Sequence, residues 1–182
     1  MLALVIMVAA QQAKTGAPAQ DPAPPTDVGA APFANGGASR APDISSLSPR
    51  ERADRLYDRV MAQSARGKTD SASFFATMAV GAYQALAPLD SDLRYDYGRM
   101  AEIAGDLPLA QAQADTILRE NPDHLLGLIL AARVAQARND AATSQKLLAR
   151  ATRAQKTELA KSLDEYTRHK NDIDAAIAMA GK

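Results

Sequence analysis

Sliding the chain against itself by 34 residues brings two stretches into register, and this period constrains the fold more tightly than any other feature. The stretch that opens at Asp92 falls on the one that opens at Leu126. Gly98 then meets Ala132, Ala101 meets Ala135, Ala110 meets Ser144, and the pair Gly105 and Asp106 meets Asn139 and Asp140. A repeat of this length is one antiparallel helix pair, which cannot bury its apolar side alone and so stacks on its neighbours. Stacked pairs present extended surfaces that bind other proteins, so the period predicts an all-α fold with an interaction role.

Local punctuation divides residues 47–182 into helices. Ser48, Pro49 and Glu51 have the spacing of a capping box with proline at the first helical position. Leu56 and Val60, and Tyr57 and Met61, follow at four-residue spacing, and Arg66, Gly67 and Lys68 end this helix. A second helix, capped by Asp70 or Ser71, carries Phe74, Phe75, Met78, Tyr83 and Leu86 and closes at Pro88. The third spans about Ser91 to Ala104 and stops at Gly105. The fourth spans about Pro108 to Glu120, with Asp106 as its cap, and Asn121 and Pro122 break it. A fifth spans about His124 to Arg138 and a sixth about Ala141 to Thr152. The remainder, Gln155 to Met179, forms one long helix or two broken near Lys170, Asn171 and Asp172. It caps the array by burying Leu159, Leu163, Tyr166, Ile173 and Ile177. Ala76, Val80 and Pro88 precede Ala110, Ala114 and Pro122 by the same 34 residues, which adds a divergent unit at the front.

Ahead of the helices lie two segments of different character. Residues 1–12 open with an uninterrupted apolar run, too short to cross a bilayer, which takes about 20 residues. The run resembles the apolar part of a secretory signal, with Ala9 and Ala10 placed before a cleavage point, although no Lys or Arg precedes it. A start further upstream, an uncleaved anchor and a tail inserted in a partner are the three readings it allows. Residues 13–46 are dominated by Ala, Pro and Gly, with Phe33 the one aromatic residue. Such a segment cannot offset its own ordering entropy and reads as an extended linker. An apolar start followed by such a linker points to a tether in the bacterial periplasm or at the inner membrane, with membrane contact through the N-terminus.

Charge and chemistry narrow the function further. The 21 basic and 21 acidic residues cancel, so no global field draws the chain to nucleic acid. The middle is acidic (Asp90, Asp92, Asp96, Glu102, Asp106, Asp115, Glu120 and Asp123). The end is basic (Lys146, Arg150, Arg153, Lys156, Lys161, Arg168 and Lys170). These charges read as solvated helix faces, or at the basic end as a site for an acidic partner or anionic headgroups. The absence of cysteine removes disulfides, thiolate metal sites and thiol nucleophiles. His124 and His169 have no metal-ligating neighbour at helical spacing and read as surface residues. Asp164 and Glu165 are adjacent and so do not share a helix face. Phosphate loops and nucleophile elbows are missing. The sequence therefore points to no catalytic, metal or cofactor site.

With its small crossing residues Gly98 and Ala101 facing Ala110 and Ala114, its turn at Gly105 and its closing Pro122, the middle unit resembles the tetratricopeptide repeats. The resemblance covers about residues 50–155. It departs from the pattern at Arg94, where the family carries an aromatic residue, and near Lys156, where no proline closes the next unit. It implies two to three units with a C-terminal capping helix, and a groove lined by the first helix of each unit. The matching groove positions are Asp92, Tyr95, Asp96, Arg99, Glu102, Leu126, Ile129, Leu130, Arg133 and Gln136. Of these, Tyr95, Arg99, Glu102, Leu126, Ile129, Arg133 and Gln136 are the candidate partner contacts. Tyr95 and Arg99, four apart, are of the residue types that anchor interfaces. The groove lacks the Lys and Asn set with which the family clamps a C-terminal carboxylate. The expected role is a non-catalytic scaffold or adaptor for a protein partner. The alternative is an accessory subunit of a membrane complex, gripped by its N-terminal segments.

Overall fold

The computed structural model describes residues 46–180, and the expected anchor and all but the last residue of the linker lie outside them. Among the described residues the regular structure is entirely helical. Six long helices, α1 (Pro49–Ala65), α2 (Thr69–Gln84), α3 (Ser91–Ala104), α4 (Leu107–Glu120), α5 (Leu125–Ala137) and α6 (Ala141–Leu159), are followed by α7 (Asp164–Arg168) and α8 (Lys170–Ala180). Each long helix packs on the next in sequence. α1 also touches α3, α3 touches α5, and α8 packs on α5 and α6. The result is three stacked helix pairs of the tetratricopeptide-like kind with a terminal cap, the fold class read from the period.

The repeat is written into the turns. Gly105 takes φ +88° and its counterpart Asn139 φ +62°, the left-handed conformation that glycine and asparagine tolerate best. After each, an aspartate caps the second helix of the pair. Asp106 accepts from the Leu109 N–H at 3.0 Å, and Asp140 from the Thr143 N–H at 3.0 Å. At the front, Ser48 and Glu51 exchange both bonds of the capping box, at 2.8 and 3.2 Å. α2 departs from expectation. It begins at Thr69 after Lys68, which gives no side-chain cap, so Asp70 sits inside the first turn, where its carboxylate favours the helix dipole.

Small residues set the approach distances. A Cβ built on Gly98 would stand 2.3 Å from Leu130 Cδ2, and one on Gly127 would stand 2.8 Å from Ile117 Cγ2. α5 therefore lies close against both α3 and α4. One apolar cluster joins Tyr95, Ile117, Leu125, Leu126, Leu128, Ile129 and Leu130 to Tyr166, Ile173 and Ala176, and a second fills the space between α1, α2 and α3 around Val60, Tyr83 and Met100.

The C-terminal third differs from the expected outline. α6 continues through Thr152 to Leu159 and breaks at residues 160–163, where Ser162 takes φ +53°. A second break, at His169, separates α7 from α8 beside the one expected near Lys170. Of the residues expected to bury against the array, Tyr166 and Ile173 do so fully. Leu163 and Ile177 are partly buried, and Leu159 faces solvent, 41% exposed.

Candidate functional site

The first helices of the three pairs, α1, α3 and α5, share one face, and the corner between α7 and α8 is folded against it. Tyr95 on α3 donates its hydroxyl to Asp172 Oδ2 at 2.7 Å, and Arg99 one turn later stands 3.8 Å from the same oxygen. Arg99 also pairs with Glu102, which accepts in turn from Arg133 Nε on α5 at 2.8 Å. Burial of the Arg99 guanidinium works against its charge, but Tyr95, Glu102 and Asp172 together outweigh it and hold the group firmly protonated. The Tyr95 hydroxyl, wholly enclosed, is pushed well above the usual phenol range by burial and by Asp172.

One turn earlier on α3, Asp92 and Asp96 meet the corner itself. His169 Nε2 lies 3.2 Å from Asp96 Oδ1 and 3.4 Å from Asp92 Oδ1, though neither approach has hydrogen-bond geometry. Arg168 reaches Asp92 Oδ2 at 2.6 Å, and the Tyr83 hydroxyl donates to Asp96 Oδ2 at 3.4 Å. The His169 ring packs edge-on to Tyr95 at 4.7 Å and to Tyr57 at 6.1 Å. Burial disfavours the imidazolium, but the two aspartates outweigh burial and raise the His169 pKa to about 9. Burial raises the carboxyl of Asp96, only partly offset by His169. At the more open Asp92, burial is overcome by His169 and Arg168, which bring its pKa below the usual value.

A second polar knot ties the other end of the corner. Glu158 accepts from Tyr166 at 2.8 Å, Asn121 at 2.9 Å and Lys161 at 2.6 Å. The Tyr166 hydroxyl also accepts from the Leu125 N–H at 3.2 Å, and His124 Nε2 lies 3.3 Å from Glu165. Burial lowers the His124 pKa, and Glu165 offsets this only in part. Both histidines, expected at the surface, are thus buried, at 3% exposure for His124 and 5% for His169. Nothing local in the sequence announces this, because their partners come from elements far along the chain.

The candidate partner contacts therefore separate into layers. Tyr95, Arg99, Leu126 and Ile129 are buried, Glu102 and Arg133 are half-buried, and Gln136 is exposed. A small crevice of about 50 Å³ between α5, α6 and α8 touches Ile129, Arg133 and Gln136. The open part of the face is a cleft of about 410 Å³. Arg50, Asp54, Tyr57, Asp58 and Met61 of α1 line one side, and Asp96, Arg168, His169, Asn171 and Asp172 line the other. Its lining contains carboxylates, an imidazole, a phenol and guanidinium groups, but no hydroxyl or thiol nucleophile of the Ser, Thr or Cys type. Among the described residues no helix is long and apolar enough to cross a membrane.

No protein-family model matches the sequence, and no curated protein does. Among solved structures, the chain is similar to the type III secretion translocator chaperone SycD of Yersinia enterocolitica in an alternative dimer, at 17% identity and a TM-score of 0.39. It is also similar to the same chaperone in complex with a peptide of the translocator YopD, at 17% identity and a TM-score of 0.38. Each alignment covers 76% of this chain and 96% of the chaperone chain.

Proposed function

We propose that the protein is a non-catalytic adaptor that binds a protein partner on the face of α1, α3 and α5, and that its N-terminal segments tether it in the bacterial envelope. The observation that carries the binding role is the seat of α8. The face already receives a helix, taking an acidic side chain, Asp172, on Tyr95 and Arg99 and burying Ile173 and Ala176 in the apolar layer of Leu126 and Ile129. A face with that complementarity suits an amphipathic helical segment bearing an acid. The cleft beside α1 continues the same face, offering Tyr57, Met61 and Arg50. A partner reaches the cleft, Arg133 and Gln136 directly. It reaches Tyr95, Arg99, Leu126 and Ile129 only where α8 yields its seat.

Site-specific photocrosslinking in cells tests this reading. A photoreactive residue at Met61 or Gln136 should give one protein adduct. The same residue at Arg119, exposed on α4 and outside the lining of the cleft and the crevice, should give none. Equal labelling from all three positions, or none from any, would refute the binding face. Adducts confined to residues 1–46 would replace the adaptor with an accessory subunit held by its N-terminus. Recovery of the chain outside the envelope fraction would refute the tether.

A further inference from the structure

We infer that Asp92, Asp96 and His169 form a binding site for one first-row divalent transition ion of the zinc class, which clamps the corner between α7 and α8 onto α3. Asp92 and Asp96 are four residues apart and share one face of α3. His169 is brought to them by the corner. The three donor atoms, Asp92 Oδ1, Asp96 Oδ1 and His169 Nε2, lie within 4.8 Å of one another.

Each of these atoms is buried, and each lacks a hydrogen-bond partner. The side chains of Asp96 and His169 are both 4% exposed. The three atoms face one another as an ion pair without hydrogen-bond geometry, at 3.2 and 3.4 Å, and a shared cation in place of the imidazole proton would give all three a directed bond. The opposite oxygen of each carboxylate is held, Asp92 Oδ2 by Arg168 at 2.6 Å and Asp96 Oδ2 by Tyr83 at 3.4 Å. This is the arrangement by which outer partners orient a ligating carboxylate and leave the inner oxygen free.

The two separations from the imidazole fit as well. Zinc bonds to nitrogen and oxygen of about 2.0–2.2 Å set tetrahedral ligand separations of about 3.3–3.5 Å. His169 Nε2 stands 3.2 and 3.4 Å from the two oxygens. Imidazole with two carboxylates suits zinc and its neighbours better than magnesium or calcium, which favour sites built wholly of oxygen. The cleft runs to Asp96 and His169 and gives an ion its way in, with water as a fourth ligand.

The test uses the full, tag-free chain after chelation, titrated with Zn²⁺ by calorimetry and with Co²⁺ by visible absorption. One ion per chain is expected, with the intense absorption of a tetrahedral Co²⁺ site. Asp96→Asn and His169→Gln should each weaken binding at least about tenfold. Asp54→Asn, in the cleft but outside the cluster, should leave it unchanged. Circular dichroism confirms that each variant keeps its helix content, and Asp92→Asn replaces any that does not. Absence of stoichiometric binding would overturn the site. So would binding that survives undiminished in every folded variant of the three residues.

Discussion

Adding one methyl group at Gly98 should destabilise the fold, while the same methyl at Gly81 should stabilise it. In a helix interior, alanine is favoured over glycine by about 0.5–1 kcal/mol. At Gly81, on α2, a new Cβ would meet nothing within 4 Å, so Gly81→Ala should realise that gain. At Gly98 it would stand 2.3 Å from Leu130 Cδ2 and 3.2 Å from Gln113 Cβ. Ordinary contact begins near 3.4 Å, so Leu130 must retreat by at least about 1.1 Å, the difference between 3.4 and 2.3. Leu130 is wholly buried, and Gln113 Cβ, also close, moves only with its backbone. Overpacking of this kind costs about 1–3 kcal/mol. The propensity gain is common to both variants, so their difference in stability isolates the packing cost. Urea unfolding followed by far-UV circular dichroism measures it. With a slope of about 2 kcal/mol per molar, a cost of about 2 kcal/mol separates the two midpoints by about 1 M. Coincident midpoints, or a Gly98→Ala midpoint above that of Gly81→Ala, would refute the close approach of α3 and α5 described above.

Four further outcomes are expected. Glu158→Gln should cost about 1–3 kcal/mol, because three donors lose a charged acceptor. Burial works to raise the Glu158 pKa, but Lys161, Tyr166 and Asn121 together hold it lowered, so its stabilisation is complete above the ordinary glutamate value and is lost as pH falls through the lowered folded value. For His124 the folded pKa is depressed by burial, against Glu165 and Glu158 and with Lys161, so the unfolded chain takes up the proton first. Stability should therefore fall as pH drops below about 6.5, and the difference between wild type and His124→Gln, measured from pH 7 downward, should show this with the other titrating groups cancelled. At the turns, Gly105→Ala should lose about 1–2 kcal/mol in chemical denaturation, whereas Asn139→Gly should change stability by only a few tenths, as their positive φ angles require. Asp172→Ala should speed amide hydrogen exchange across residues 170–180 relative to α5, since it removes the partner of Tyr95 and Arg99.

The middle of the fold was legible because its signals are local. Asp90, Asp106 and Asp140 each cap a helix through their own side chains, and Gly105 and Asn139 each end one by backbone conformation. With Asn121 and Pro122 closing α4, the expected limits of α3 to α5 agree with the structure to within one position. α6 overran its expected end because Gln155 to Leu159 contains nothing that opposes a helix, and the turn that stops it uses Ser162 rather than glycine. The groove positions could be numbered from the repeat, but not what lies on them. Asp172 and Tyr95 are brought together by a corner whose direction no local pattern encodes. The same non-local packing buries His124 beneath Tyr166 and Glu165, and His169 beside Asp92 and Asp96.

The seat of α8 also orders events in time. Each helix from α2 to α6 packs on the element made just before it, so α1 to α6 assemble from short-range contacts as the chain lengthens. The corner closes contacts of much longer span, 77 residues between Tyr95 and Asp172, and it is synthesised after α1 to α6. Every new copy of the protein therefore passes through an interval in which Tyr95, Arg99, Leu126 and Ile129 are assembled but uncovered. During synthesis, a partner helix present in that interval competes for the seat before the chain's own α8 arrives to claim it.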